Sequence, residues 1–245
     1  MDNILVIDIG NTSTKFAVAC GLKLSKATCC YNSDISLSLV KFLNRNSFTS
    51  CLILFSNRIV LTTVVKIIKA KKIKINIVGK DVLVPIKSLY SEELGQDRRV
   101  VIFSAVNFYG NVGLVISAGT ALVFDFISSK RIHQGGFIFP GVTSSLNNLL
   151  SSCEMLPGKL ALRRSLLAAK DTNSALSSGI LNGYKYIIAQ AVDYLHKINP
   201  KGKVILTGGD SKLLRQYKAY FDFVDEKLNL KGLAILSSSS NYLKE

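Results

Sequence analysis

Asp8, Gly10, Asn11, Thr12 and Lys15 are gathered in one short stretch near the start of the chain, Ile4–Ala17, which reads ILVIDIGNTSTKFA. An apolar run, Ile4 to Ile7, leads into Asp8. A Gly10-Asn11-Thr12 turn follows, and a second apolar run carries Lys15. The order predicts strand, polar hairpin and strand, which brings a carboxylate, hydrogen-bonding side chains and backbone N–H groups to one sheet edge. Gly10 allows a positive φ and a close backbone approach, as a phosphate cradle needs. Asp8 suits Mg²⁺, which takes carboxylate oxygens or waters held by them. The same residues also suit an ordinary β-hairpin with an Asn-Thr turn.

Two other places could do chemistry. Ser91–Arg99, SEELGQDRR, is the most charged segment and leads into an apolar helix predicted over Val100–Phe108. Asp97, Arg98 and Arg99 then stand at a helix N-terminus, where the macrodipole stabilises a carboxylate and the N–H groups favour anions. A capping Asp beside solvated arginines is the alternative. Later, an apolar strand at Lys203–Leu206 runs into Thr207-Gly208-Gly209-Asp210. Such a turn lets a flat ring lie against bare backbone, and equally serves as a plain left-handed turn between strand and helix.

The elements that position these residues follow from pattern. After the hairpin we expect a third strand over Lys23–Cys30 and a helix over Ile35–Leu43 capped by Ser33 or Asp34. A buried strand at Cys51–Phe55, a helix to about Ala70 and a strand at Ile73–Val78 complete an α/β layer arrangement. Tyr109-Gly110-Asn111 is the candidate boundary. Beyond it, Leu114-Val-Ile-Ser-Ala-Gly119-Thr120 can be laid beside Leu5-Val-Ile-Asp-Ile-Gly10-Asn11, with Ser117 opposite Asp8 and Gly119 opposite Gly10. Asp125 lies in a second strand and Arg131–Phe139 forms a third. Internal duplication predicts two similar domains, 1–111 and 112–245, facing each other across a cleft. Gly135-Gly136 through Gly141 closes the third strand, with Pro140 opening a helix through Leu150. A long amphipathic helix covers Leu176–His196, preceded by capping residues at Asp171–Ser174.

Composition narrows the classes. Of 245 residues, 48% are hydrophobic, enough to bury sizeable cores, and no apolar run approaches the length of a membrane span. MDNILVIDIG has neither the basic start nor the small-residue cleavage site of a signal peptide, so a soluble cytoplasmic protein is expected. Five cysteines form no CxxC pair, and His133 and His196 stand near none of them in sequence. Free thiols are expected in place of a zinc site. The net charge of +15 invites a nucleic-acid reading, but the excess is spread evenly, +8 up to Asn111 and +7 beyond it. Its densest run, Lys66–Lys74, carries no aromatic residue for base stacking, and a solvated lysine face is our reading. The charge can also help draw nucleotide or acidic substrates.

The paired hairpins and the late Thr-Gly-Gly turn follow the pattern of the acetate kinase, sugar kinase, Hsp70 and actin superfamily. More specifically, the chain resembles the type III pantothenate kinases and their relative, the Bvg accessory factor. Asp8-x-Gly10-Asn11-Thr12-x-x-Lys15, Gly95-Gln96-Asp97-Arg98, Ala118-Gly119-Thr120-Ala121 and Gly135-Gly136-x-Ile138-x-Pro140-Gly141 match family motifs in order. Leu156-Pro157, Thr172 with Ser178-Gly179, Thr207-Gly208-Gly209 and Leu230-x-Gly232-Leu233 complete the series. The resemblance implies two ribonuclease H-like (actin-like ATPase) domains around a cleft, and phosphorylation of pantothenate by ATP at the first committed step of coenzyme A synthesis. By position, Asp97 is the proton acceptor, Gly95, Gln96, Asp97, Arg98 and Thr172 bind pantothenate, and Asp8, Gly10, Asn11, Thr12, Lys15 and Thr120 bind ATP. Asp8 associates with Mg²⁺, through water. A homodimer is implied as well. Two positions depart from the pattern. Ser117 stands where the family has an Asp that binds K⁺ or NH₄⁺. Ser88 and Ser91 replace a pocket Tyr and Pro, with Tyr90 two residues late. These departures admit an alternative: a weakened or inactive relative that binds or regulates, like the Bvg accessory factor.

Overall fold

Two apolar runs in the first twenty residues make two strands, and the turn between them makes them antiparallel. In the computed structural model, which describes residues 3–91, 93–163, 166–238 and 242, β1 (Ile4–Ile9) pairs with β2 (Ser13–Cys20), Asp8 opposite Lys15. The chain continues through β3 (Lys23–Leu24), β4 (Thr28–Tyr31), α1 (Ile35–Leu43), β5 (Ser50–Phe55), α2 (Arg58–Ala70), β6 (Lys74–Ile77) and α3 (Gln96–Tyr109). Then come β7 (Val112–Ala118), β8 (Ala121–Ile127), β9 (His133–Pro140), α4 (Val142–Ser152), α5 (Thr172–Ile198), β10 (Lys203–Thr207), α6 (Ser211–Leu214), β11 (Phe223–Val224) and α7 (Leu228–Ser237).

The first sheet runs β3-β2-β1-β5-β6, with β4 also on β2; β1, β5 and β6 are mutually parallel. Central strand β1 is covered on both faces, which is why it reads as a nearly continuous apolar run. Leu5, Ile7 and Ile9 point into a core with α1 and α2 residues such as Leu39, Val64 and Ile68. Val6 points the other way, among Val100 and Phe103 of α3 and Leu230 and Leu233 of α7. Side chains alternate along a strand, so Asp8 shares the face of Val6. Each fully buried Leu, Ile or Phe contributes about 1.5–3 kcal/mol. The hairpin is therefore anchored on both sides before any polar contact is counted.

The second sheet runs β9-β8-β7-β10-β11, antiparallel across β9-β8-β7 and parallel across β7-β10-β11. This is the strand order of the first sheet, third-second-first-fourth-fifth, with the same directions, so the duplication extends from the hairpins to the whole sheet. One of its faces packs Leu114, Ile116 and Phe124 against Tyr184, Ile188 and Leu195 of α5.

Several expectations need correction. The two units are not divided at a single point near Asn111: one comprises Met1–Lys87, Ser91–Phe108 and Lys227–Glu245, the other Ser88–Tyr90 and Tyr109–Glu226. The C-terminal helix α7 packs on β1 and β2, and so returns to the first unit. The expected third strand is two short pieces, β3 and β4, separated by residues 25–27. Pro140 does not open a helix; it is the last residue of β9, opposite Ala121, and Gly141 is the N-cap of α4. The Gly141 N–H bonds to the Thr120 carbonyl at 3.0 Å, which keeps that backbone extended. Asp34 stands at the N-cap of α1 without a side-chain bond, whereas Asn57 caps α2, its Oδ1 accepting from Val60 N at 3.1 Å. Helices α3 and α5 begin four residues earlier than expected, at Gln96 and Thr172, the latter capped by Asp171. No helix among the described residues is long and apolar enough to cross a membrane.

Candidate active site

Asp8 is half-buried near the carboxyl end of β1. Across β2 it faces Lys15, and across the parallel neighbour β5 it faces Leu54. Its sheet face is the one covered by α3 and α7, and α7 supplies a partner: Asn229 Nδ2 donates to Asp8 Oδ2 at 3.0 Å. Burial pushes the Asp8 carboxyl above its ordinary value; the Asn229 bond and the Lys15 ammonium pull it back, while the Asp97 carboxylate raises it further. Asp8 is thus within electrostatic reach of both Lys15 and Asp97 in a single unit.

The turn after Asp8 is tight: Gly10 N–H donates to the Ser13 carbonyl at 3.0 Å. Gly10 does not adopt a positive φ, contrary to expectation. Its need for glycine is one of space, since a Cβ would stand 3.1 Å from the Ser13 oxygen. The turn is held from outside by Asn32, whose Nδ2 donates to the carbonyls of Gly10 and Asn11, each at 3.0 Å. Asn32 Oδ1 accepts from the Thr14 hydroxyl at 2.8 Å, and its N–H donates to the Thr12 carbonyl at 3.1 Å. One side chain occupies the outward carbonyls of the loop, as a loop that presents N–H groups to an anion requires. The role of Asn32 depends on a contact across 22 residues that no local pattern encodes.

Asp97 is the second residue of α3. Its Oδ1 accepts from the Arg98 N–H at 2.9 Å and its Oδ2 from the Ser56 hydroxyl at 3.2 Å. Ser56 follows β5, and its N–H donates to the Ile9 carbonyl at 2.8 Å, so Asp97 is tied to the end of β1. Gly95 leaves room for this carboxylate: a Cβ there would approach Asp97 Oδ1 to 2.8 Å. Gln96 packs its side chain over Gly79, whose φ is +84°. Arg99 is structural, donating from Nε to the Leu94 carbonyl at 3.1 Å and from its guanidinium to the Ile86 carbonyl at 3.3 Å. The first unit therefore brings together Asp8, the Gly10–Thr12 turn, Lys15 and Gly95–Arg98.

The second unit repeats the turn in altered form. Gly119 N–H donates to the Ala121 carbonyl at 2.9 Å, the counterpart of the Gly10–Ser13 bond. Ser117 faces Val123 on β8 and Thr207 on β10. Both members of the Asp8–Lys15 cross-strand pair are thus replaced by uncharged residues. The Thr120 carbonyl accepts from Gly141 N–H at 3.0 Å and from the Ser144 hydroxyl at 2.9 Å. Gly208, at φ +94°, lies so close to Ala118 that a Cβ would overlap its backbone. Asp210 N–H donates to the Ala118 carbonyl at 3.0 Å, and its carboxylate accepts from Thr143 N and Oγ1 at 2.9 and 2.7 Å. Thr172 is exposed as the first residue of α5.

Ser88, at the pocket-Tyr position, belongs to a buried network. Its hydroxyl is 2.8 Å from His133 Nδ1, and His133 Nε2 is 2.9 Å from Asp125 Oδ1, with the His133 and Asp125 side chains both fully buried. Among the described residues no cluster of three His, Cys, Asp or Glu side chains is arranged to hold a metal ion.

A family model described as type III pantothenate kinase matches residues 4–194. A type III pantothenate kinase of a Sulfurihydrogenibium species is 31% identical over 248 residues, covering 95% of this chain and 98% of that one. The type III pantothenate kinase of Persephonella marina is 32% identical over 251 residues, with 94% and 96% covered. Among solved structures, a Baf family protein from Campylobacter jejuni is similar over 97% of this chain and 99% of its own, with a TM-score of 0.61 and 24% identity. That likeness concerns the fold.

Proposed function

The chain belongs to the type III pantothenate kinase family, and from that premise we propose that it transfers the γ-phosphate of ATP to pantothenate, giving 4′-phosphopantothenate and ADP. The observation that supports this reading best is Asp97: a carboxylate at the start of α3, oriented by Ser56 and Arg98 N–H, within electrostatic reach of Asp8. As the pantothenate hydroxyl oxygen bonds to the γ-phosphorus, its proton passes to the Asp97 carboxylate. The bond to the β–γ bridging oxygen breaks, and its electron pair leaves with ADP. A base acting on so late a proton transfer needs correct placement more than a high pKa.

The remaining roles are alignment and charge neutralisation, which dominate phosphoryl transfer. The N–H groups of the Gly10–Thr12 turn and the Lys15 ammonium take ATP phosphate oxygens, and the family resemblance assigns Thr120 to the nucleotide as well. Gly95, Gln96 and Arg98 bind pantothenate together with Thr172, the Arg98 guanidinium fork suiting the carboxylate. Oxygen donors such as the Asp8 carboxylate fit Mg²⁺, held through water, and Mg²⁺ supplies charge neutralisation on the phosphates. K⁺ or NH₄⁺ falls to the Ser117 hydroxyl, a neutral ligand without the family's carboxylate. We assign the protein to the cytoplasm as a homodimer, on the family resemblance.

A weakened, regulatory relative is the second reading, favoured by Ser88, whose hydroxyl is engaged with His133 in place of a pocket tyrosine. Mass spectrometry of a reaction containing ATP, Mg²⁺ and pantothenate decides between them. Accumulation of 4′-phosphopantothenate supports the kinase; its absence at every K⁺ and NH₄⁺ concentration supports the second reading.

A further inference from the structure

We infer that Asn229 is a positioning residue for Asp8, retained for the phosphate site and not for the fold. This rests on the reading of Asp8 as a phosphate-site carboxylate. Helix α7 is otherwise apolar where it meets the first sheet: Leu228, Leu230, Leu233 and Leu236 are all buried. A leucine or alanine at 229 would suit that environment. The amide found there makes one side-chain hydrogen bond, from Nδ2 to Asp8 Oδ2 at 3.0 Å, across 221 residues of chain. Its other polar atom, Oδ1, is buried and has no hydrogen-bond partner among the described residues.

A buried carbonyl oxygen left without a donor lowers stability. The amide is therefore a liability to the fold that its single bond does not clearly offset. What that bond does is directional. An NH₂ group can only donate, so it favours the ionised carboxylate and holds one of its oxygens in place. Lys15, opposite Asp8 on β2, supplies charge from a flexible stem but cannot fix orientation in this way. Asn229 thus presets Asp8 before nucleotide arrives.

The test uses Asn229→Leu, close in size and without polar atoms, and Asn229→Ala, which adds no bulk. MgATP binding is measured by calorimetry, stability by thermal unfolding, and steady-state constants for both substrates. The expected result for both variants is MgATP affinity about five- to tenfold weaker, by the loss of one hydrogen bond to a charged group. KM for pantothenate stays at the wild-type value. Asn229→Leu unfolds at the wild-type temperature or above. Unchanged MgATP affinity in either variant overturns the inference. So does weaker affinity accompanied by a lower unfolding temperature in the leucine variant, which would mark a structural role. Wild-type protein that binds no MgATP would contradict the proposed function. In that case crystal structures decide the inference: Asp8 in one unchanged rotamer in Asn229→Leu overturns it, and Asp8 spread over several rotamers supports it.

Discussion

Ser56 donates its hydroxyl to Asp97 Oδ2 at 3.2 Å while its own N–H is bonded to the Ile9 carbonyl at 2.8 Å. One exposed serine thus ties the candidate base to the end of the strand that carries Asp8. The arrangement explains how a side chain at a helix start can be registered against a turn more than eighty residues earlier: both hang from the carboxyl ends of β1 and β5.

Removing that tether should slow chemistry without loosening the protein. Ser56→Ala is expected to lower kcat by roughly five- to twentyfold, the loss of one orienting hydrogen bond to a charged group. KM for ATP should stay within about twofold and stability within about 0.5 kcal/mol, as for exposed substitutions generally. Steady-state kinetics beside urea unfolding check both; an unaltered kcat would show that Asp97 is oriented by other means.

Ser117 faces Val123 where Asp8 faces Lys15, so the second hairpin carries no charged cross-strand pair. Ser117→Asp should steepen the response of turnover to K⁺ and NH₄⁺, since a carboxylate adds the charge that a hydroxyl lacks. Titrating each salt at constant ionic strength reads this. A variant whose salt response matches the wild type would place the cation site elsewhere.

Much of this was legible in the sequence because it is local. Apolar runs mark β1 and β2, glycine marks the turns, and the matched order Leu5–Gly10 and Leu114–Gly119 foretells a sheet repeated strand for strand. What escaped is what only tertiary packing decides. The apolar pattern of α7 says that it is buried but not against which sheet, so its return to β1 was invisible. Asn32 and Asn229 read as ordinary polar residues until the fold brings them to Gly10 and Asp8. The start of α3 at Gln96 was masked by charged residues that lack helical periodicity.

Gly141 is a stringent packing position. A Cβ there would overlap the carbonyl oxygens of Gly119 and Thr120. Gly141→Ala should destabilise by about 2–4 kcal/mol, at the upper end of overpacking effects because the obstacle is backbone. Denaturant unfolding gives the value, and a loss below about 0.5 kcal/mol would show that the turn yields freely.

Cys51 on β5 is fully buried, and burial pushes its thiol well above the ordinary value. A thiol whose folded pKa is raised favours the folded state below the unfolded pKa, near 9.0, and that contribution is lost as pH rises beyond it. In native protein at pH 8, exposed Cys29 and Cys153 should react with a disulfide reagent while Cys51 stays unlabelled until denaturant is added. Peptide mapping distinguishes them; rapid native labelling of Cys51 would contradict its place in the core.

The central claim is that Asp97 takes the proton from pantothenate. Its most direct test is pantothenate-dependent ADP formation by wild type and Asp97→Asn, measured in one coupled assay with MgATP. We predict turnover that requires pantothenate in the wild type and a fall of at least about a hundredfold in kcat for Asp97→Asn, with nucleotide binding and thermal stability retained. Wild-type rates indifferent to pantothenate, or an Asp97→Asn variant that turns over nearly as fast, would contradict the account.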